Sequence, residues 1–128
     1  MRKYSSQELF KIGENIAAQH LASCGYTIIC RNFRKQCGEI DLIVEKDQHL
    51  IFCEVKTRTS HYLESALASV AYTKQKKITR TAQIYINQNP QYGNYIFRFD
   101  VLVVFYYPNT DTFAVHHLED AFFPVLDD

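Results

Sequence analysis

The sequence predicts an α/β fold in which one mixed β-sheet is flanked by helices, with the element order α-β-β-β-α-β-β. Two segments repeat apolar residues at the three- and four-residue steps of a helix. Five other segments are rich in β-branched and aromatic residues and are bounded by turn-forming residues. A chain of 128 residues has a common size for one folding unit, so we predict a single domain over residues 1–128.

The first helix is predicted over about residues 6–24. Ser5 and Glu8 have the spacing of a capping box, which begins a helix, and Gly25 can adopt the left-handed conformation that ends one. The apolar stripe of this helix is expected to comprise Leu9, Phe10, Gly13, Ile16, Ala17, His20 and Leu21. A second helix is expected over residues 73–88, where Asn89-Pro90 stops it.

The five strands are predicted over residues 26–33, 39–45, 50–56, 95–107 and 112–118. A basic turn over residues 34–38 joins the first two strands, and residues 46–49 make the second and third strands a hairpin. Because the fourth strand is long and apolar, we expect it in the interior of the sheet. His116 and His117 end the last strand without a metal-ligand pattern of acids or cysteines beside them, and both are expected to be structural.

Four polar residues are expected on one face of the hairpin, because side chains alternate between the two faces of a strand. If Asp47-Gln48 is a two-residue turn, Asp41 lies opposite Glu54, and Glu39 lies opposite Lys56. The other face is then expected to be lined by Ile40, Leu42, Val44, Cys53 and Val55.

Two carboxylates held this close repel each other unless a cation lies between them, and oxygen ligands favour Mg²⁺ or Mn²⁺. Such an ion polarises a phosphoryl oxygen, and a lysine on the same face stabilises the charge that develops on a phosphate. The alternative is a surface hairpin with a Glu39–Lys56 ion pair, which the charge pattern alone favours. The apolar neighbours of both strands, and the grouping of the acids at one end, favour the metal site.

A known motif has the same arrangement. The segments Gly38–Ile43 and Phe52–Lys56 resemble the PD-(D/E)xK nuclease motif, with Ile40 in place of its proline. Over about residues 10–122 the chain more closely resembles the YraN family of uncharacterised bacterial proteins. Further matching features are Gly13-Glu14, Gly25-Tyr26, Asn32-Phe33-Arg34 and Arg98-Phe99-Asp100-Val101. That family is similar in turn to archaeal Holliday-junction resolvases.

The resemblance implies a restriction-endonuclease-like fold and a metal-dependent endonuclease site. The function we expect is a structure-specific DNA endonuclease that acts on branched or junction DNA. The resemblance also implies Asp41, Glu54 and Glu14 as catalytic metal ligands and Lys56 as the catalytic lysine. Glu39, on the same predicted face of the hairpin, is an accessory candidate. By periodicity alone, Glu14 borders the apolar stripe, where a solvated glutamate is an equally good interpretation. The alternative function is a non-catalytic nucleic-acid-binding protein that retains the nuclease fold, and a structural or interaction protein is a third.

The net charge of zero conceals an uneven distribution. Residues 108–128 hold five acidic and no basic side chains, so residues 1–107 carry 14 basic and nine acidic ones. A positive surface of this kind suits a polyanion. We expect phosphate contacts from Arg31, Arg34, Lys35, Arg58, Lys74, Lys77 and Arg80, with His61 as a weaker candidate. The alternative for the second-helix residues is a solvated helix face.

The sequence also supports expectations about the binding partners and the cellular location of the protein. Without a sequence-reading motif, DNA shape is the expected target, and RNA is a second candidate. A homodimer is a further expectation, with an apolar edge and the acidic tail from Glu119 to Asp128 as interface elements. No window is apolar enough for a membrane span, and the start lacks the apolar core of a signal peptide, which predicts a cytoplasmic protein. The four cysteines form no Cys-x-x-Cys pair and are expected to be reduced.

Overall fold

The computed structural model of the protein describes residues 3–59 and 71–125. The elements are α1 (Ser6–Ser23), β1 (Thr27–Lys35), β2 (Gly38–Lys46), β3 (His49–Arg58), α2 (Tyr72–Gln88), β4 (Ile96–Tyr107) and β5 (Thr112–Leu118). The predicted α/β class and element order are confirmed. His61 and Asp127-Asp128 lie outside the described residues.

The five strands form a mixed sheet in the order β1-β2-β3-β4-β5. β3 and β4 are parallel, and the other neighbours are antiparallel. A parallel pair needs a long crossover, and α2 lies in the one between β3 and β4. As predicted, β4 is an interior strand, with β3 and β5 on its two sides.

Local signals at both ends of α1 act as predicted. The Ser5 hydroxyl accepts a hydrogen bond from the Glu8 amide at 3.1 Å, and the Glu8 carboxylate accepts one from the Ser5 amide at 3.0 Å. Gly25 follows the helix with φ of +92°. The predicted stripe is wrong at Phe10, which is 44% exposed. The next turn of α1 already meets the end of β3 at Thr57, so the turn that holds Phe10 extends past the sheet.

Helices cover both faces of the β2–β3 hairpin, so both faces are apolar. On the α1 side Leu42, Val44, Cys53 and Val55 pack with Ala17 and Leu21. On the α2 side Ile40, Ile43, Leu50 and Phe52 pack with Ile78, Ala82 and Tyr85.

The predicted side of Ile40 is therefore wrong, because it does not share a face with Leu42. In β1, opposite this point, Asn32 has a left-handed conformation with φ of 54°. Asn32 lies between the pairs Arg31–Leu42 and Phe33–Ile40. The local twist turns Phe33 and Ile40 together toward α2.

Two smaller expectations have different outcomes. The turn between β2 and β3 is the predicted pair, since Asp47 and Gln48 have φ of 50° and 63°, the left-handed values of a tight hairpin turn. The basic turn expected over residues 34–38 is shorter, because Arg34 and Lys35 are the last residues of β1.

All four cysteines carry free thiols. No helix among the described residues is long and apolar enough to cross a membrane.

Candidate active site

The β2–β3 hairpin opens where the two acids lie. The predicted register is confirmed from Lys46–His49 to Leu42–Cys53, and the paired residues end there. At the next hydrogen-bonded pair, a regular antiparallel ladder would pair the Val55 amide with a backbone carbonyl of β2. That amide donates instead to Oδ2 of Asp41, at 2.7 Å. The Asp41 carboxylate therefore lies between the strands where they separate.

Asp41 and Glu54 form a buried, mutually repelling pair, with 7% and 6% of their surfaces exposed. Burial, and after it the negative charge of Glu54, raises the pKa of Asp41 to about 8. A carboxylate held this way binds either a proton or a cation. The two acids thus act on each other electrostatically, but the prediction that Asp41 pairs directly with Glu54 across the strands is wrong, because the paired residues end at Leu42–Cys53.

Two lysines lie beside this pair. Lys56 is buried two residues after Glu54, on the same strand. Burial lowers the pKa of Lys56, and the positive charge of Lys74 lowers it further. Lys74, from the first turn of α2, forms an ion pair with Oε1 of Glu54. The carboxylate pair is therefore flanked by one buried and one half-exposed ammonium group.

Glu14 approaches from α1, on the opposite side of the sheet from α2. It is buried, and burial raises its pKa, while hydrogen bonding from Asn32 lowers it. Its negative charge contributes to the raised pKa of Asp41, so the two side chains lie within electrostatic reach of each other. Among residues 3–59 and 71–125 no three His, Cys, Asp or Glu side chains are arranged to hold a metal ion. The role of Glu14 as a third ligand stays a prediction.

The donor set nevertheless fits a small hard cation. Mg²⁺ is commonly held by one or two carboxylates, and water and substrate phosphates complete its shell. Asp41 uses Oδ2 for the Val55 amide, and its other oxygen accepts no hydrogen bond within the described part of the chain. Both acids offer oxygen donors, and no thiol or imidazole in the described ranges joins them in a metal-ligating group, which suits Mg²⁺ or Mn²⁺ better than zinc.

The remaining predicted contacts lie around this centre, mostly at the surface. Glu39 accepts from Arg34 across β1 and β2, at 3.0 Å, and Arg31 donates to Asn15 at 2.7 Å. Lys35 lies over the Phe33 ring at 5.3 Å. Exposed side chains on α2 include Lys77 and Arg80, and Arg58 is half-buried at the end of β3. Their contact with phosphate stays a prediction.

A second polar network was missed by the sequence reasoning. Asp100 is fully buried in β4, where both of its oxygens accept from Arg98 at 2.8 Å. His117 Nε2 lies 2.7 Å from Asp100 Oδ2, and the Asp120 amide donates to Oδ1 at 2.9 Å. The acid that pairs with His117 comes from the neighbouring strand, 17 residues earlier in the chain. The available signal was the pair of charged residues, Arg98 and Asp100, inside an apolar strand.

Comparison with known proteins gives a consistent family assignment. The model of the uncharacterised protein family UPF0102 matches residues 13–104, which include the acids and both lysines of the site. A UPF0102 protein of Clostridium botulinum strain Hall is 37% identical over 119 residues, covering 93% of this chain and 97% of the relative. One from Caldanaerobacter subterraneus subsp. tengcongensis is 39% identical over 123 residues, covering 95% and 100%.

Proposed function

This chain belongs to the uncharacterised protein family UPF0102, and from its buried carboxylate pair we propose that it is a Mg²⁺- or Mn²⁺-dependent DNA endonuclease. The observation that supports the proposal is the placement of Asp41, Glu54 and Lys56 at the open end of one hairpin. Removing these groups from water destabilises the fold, so their burial favours a role other than stability. We also propose membership in the PD-(D/E)xK superfamily and similarity to junction resolvases, on the motif resemblance.

Each side chain has a chemical task in this proposal. Asp41 and Glu54 would hold the cation, with Glu14 as the third candidate ligand. When bound, the cation polarises the phosphoryl oxygen and acidifies a water molecule. Lys56, whose ammonium lies in a poorly solvated place, donates hydrogen bonds to the phosphate oxygens and stabilises the negative charge that develops there. Asp41 is itself held in place by the Val55 amide.

The substrate we propose is DNA recognised by shape, with branched DNA preferred. Basic side chains lie at the surface of β1 and α2, on the two sides of the candidate site, where they can contact phosphates of two strands. Cleavage of two strands at a junction needs two sites, so we propose that the active form is a homodimer. Chromosomal DNA lies in the bacterial cytoplasm, and we place the activity there.

The test is a nuclease assay on linear, flapped and four-way-junction DNA with Mn²⁺. We expect metal-dependent cleavage that Glu54→Gln and Lys56→Ala reduce by at least about a hundredfold. Glu45→Gln, at the far end of the hairpin, is the matched control and should leave cleavage intact. Circular dichroism of each variant reports that the fold is kept.

If the wild type binds junction DNA but yields no product with either metal, the non-catalytic binding function replaces this proposal. If it neither binds nor cleaves any nucleic acid, including RNA, the proposal is wrong as a whole.

A further inference from the structure

Glu54 is held by a lysine that is not on its own strand. Lys74 comes from α2 and reaches back to Glu54 Oε1. The two partners differ in exposure, since the side chain of Glu54 is 7% exposed and that of Lys74 is 47% exposed. The acid is therefore fixed in the protein, whereas the lysine can leave into solvent without disturbing the core.

The position of Lys74 in its helix is not explained by helix stability. The first turn of a helix favours acidic side chains, because the free amide groups there carry partial positive charge. The first turn of α2 has no acid, and the helix has no side-chain cap. A cation in this turn is electrostatically unfavourable for the helix, and its contact with Glu54 offsets that cost.

Two ammonium groups already lie at the carboxylate pair without any metal. Lys56 follows Glu54 on the same strand, and Lys74 forms an ion pair with Glu54 Oε1. A divalent ion bound by Glu54 would be repelled by both ammonium groups, and it would compete with Lys74 for the same Glu54 oxygen. Lys56 is buried and Lys74 is half-exposed, so Lys74 is the cation that can be expelled.

We infer that Lys74 is an exchangeable counter-ion of Glu54: its ammonium neutralises the carboxylate in the metal-free protein, and a divalent cation displaces it. This inference rests on the proposed function, since it takes Glu54 as a metal ligand. It makes Lys74 a positioning residue that sets the metal affinity of the site. The displaced ammonium is then free to meet the phosphate that arrives with the substrate.

The first test is calorimetric titration of the purified chain with Mn²⁺ alone, without nucleic acid. Lys74→Met should bind Mn²⁺ about three- to tenfold more tightly than the wild type, because the competing ion pair is gone. Lys77→Met removes the same charge one helical turn further along α2 and is the control for general electrostatic repulsion. We expect its Mn²⁺ affinity to stay within about twofold of the wild type.

The second test follows the Lys74 amine itself, by acylation and peptide mass spectrometry. Mn²⁺ should increase the labelling of Lys74 in the wild type and leave that of Lys77 unchanged. Glu54→Gln should increase Lys74 labelling with no metal present. A permanent structural ion pair would not respond to Mn²⁺ in this way.

The outcomes separate the two proposals. If the wild type binds Mn²⁺ while the labelling of Lys74 and the affinity of Lys74→Met do not change, the exchange is wrong and the metal site stands. If neither the wild type nor Lys74→Met binds Mn²⁺, the exchange and the proposed nuclease both fail.

Discussion

The carboxylate of Asp41 accepts a hydrogen bond of 2.7 Å from the backbone amide of Val55, a residue of the neighbouring strand. One side chain thus serves as a candidate metal ligand and also as the link between two separating strands. The buried negative charge of Asp41 destabilises the fold, whereas the hydrogen bond that its oxygen accepts stabilises it. Two substitutions of Asp41 can separate these effects.

Asp41→Asn keeps an oxygen that can accept from the Val55 amide but removes the charge that burial and Glu54 disfavour. The metal-free variant should be at least as stable as the wild type. Because the pKa of Asp41 is raised to about 8 in the folded state, the wild type loses stability as the pH rises from the unfolded-state pKa near 4 to about 8. The advantage of Asp41→Asn should therefore be larger at pH 9 than at pH 6.

Asp41→Ala is the comparison, since it leaves the buried Val55 amide without its acceptor. An unpaired buried amide costs on the order of 1–3 kcal/mol. Urea denaturation with a chelator present measures both variants. Equal stability of Asp41→Asn and Asp41→Ala would show that the hydrogen bond contributes nothing.

Divalent cations should stabilise the folded chain. An ion that binds only the native state raises Tm, and at about a hundredfold excess over its Kd it adds about 2.7 kcal/mol to the free energy of unfolding. Thermal denaturation with and without millimolar Mn²⁺ should show a shift of several degrees for the wild type. The shift should shrink in Asp41→Asn, and an unchanged wild-type Tm would refute the metal site.

Asp100 should make the fold sensitive to acid. Burial alone would raise the pKa of Asp100, but hydrogen bonds from His117 and Arg98 outweigh burial and hold it below the usual value. A depressed folded-state pKa gives stability that is present above the unfolded value near 4 and is lost as pH falls through the folded value. We expect stability to decline below about pH 4 for this reason.

Asp100→Asn should lose about 3–5 kcal/mol at neutral pH, because Arg98 would remain half-buried with only the exposed Glu119 carboxylate, 3.9 Å away, as a counter-ion. Its stability should then respond less to acid than that of the wild type. Asp111→Asn is the matched control at an exposed ion pair, and its effect at neutral pH should be much smaller. Identical acid profiles for Asp100→Asn and the wild type would contradict the assignment.

Gly13 and Thr57 should be coupled in stability. A methyl group on Gly13 would come within 2.0 Å of the Thr57 hydroxyl oxygen. Alanine gains about 1 kcal/mol in helix propensity, but overpacking costs about 1–3 kcal/mol, so Gly13→Ala should destabilise the protein.

Thr57→Ala tests this coupling, because the Thr57 hydroxyl is buried without a hydrogen-bond partner in the described residues. Alone it should cost little, and added to Gly13→Ala it should restore part of the lost stability. Additive effects in this double-mutant cycle would mean that the two residues do not clash.

Nucleic-acid binding should be electrostatic, and α2 should contribute to it. The exposed pair Lys77 and Arg80 can be replaced by alanine and compared with Lys11→Ala on α1, which is exposed on a different helix. Binding to junction and linear DNA is measured in the Glu54→Gln protein over a range of salt concentrations. Each lost phosphate contact should flatten the slope of log affinity against log salt by about one. The same slope in the Lys77/Arg80 variant and in Lys11→Ala would show that these two residues of α2 do not contact the DNA phosphates.

Local sequence determined the elements and their ends. The capping box at Ser5 and Glu8, Gly25 after α1 and the Asp47-Gln48 turn depend on residues that are close in the chain. Because strand side chains alternate, these signals also predicted the hairpin register and the approach of Asp41 to Glu54. They did not require knowledge of the strand order or of which helix covers which face.

The tertiary structure decided which distant groups meet at the site and in the second network. Lys74 meets Glu54 only because α2 packs over β3, and His117 meets Asp100 only because β5 pairs with β4. The twist opposite Asn32 turned Ile40 away from the face that simple alternation assigned to it. Such contacts depend on strand pairing and layer packing over long sequence separations, and the free energies of those interactions cannot be inferred from any one segment.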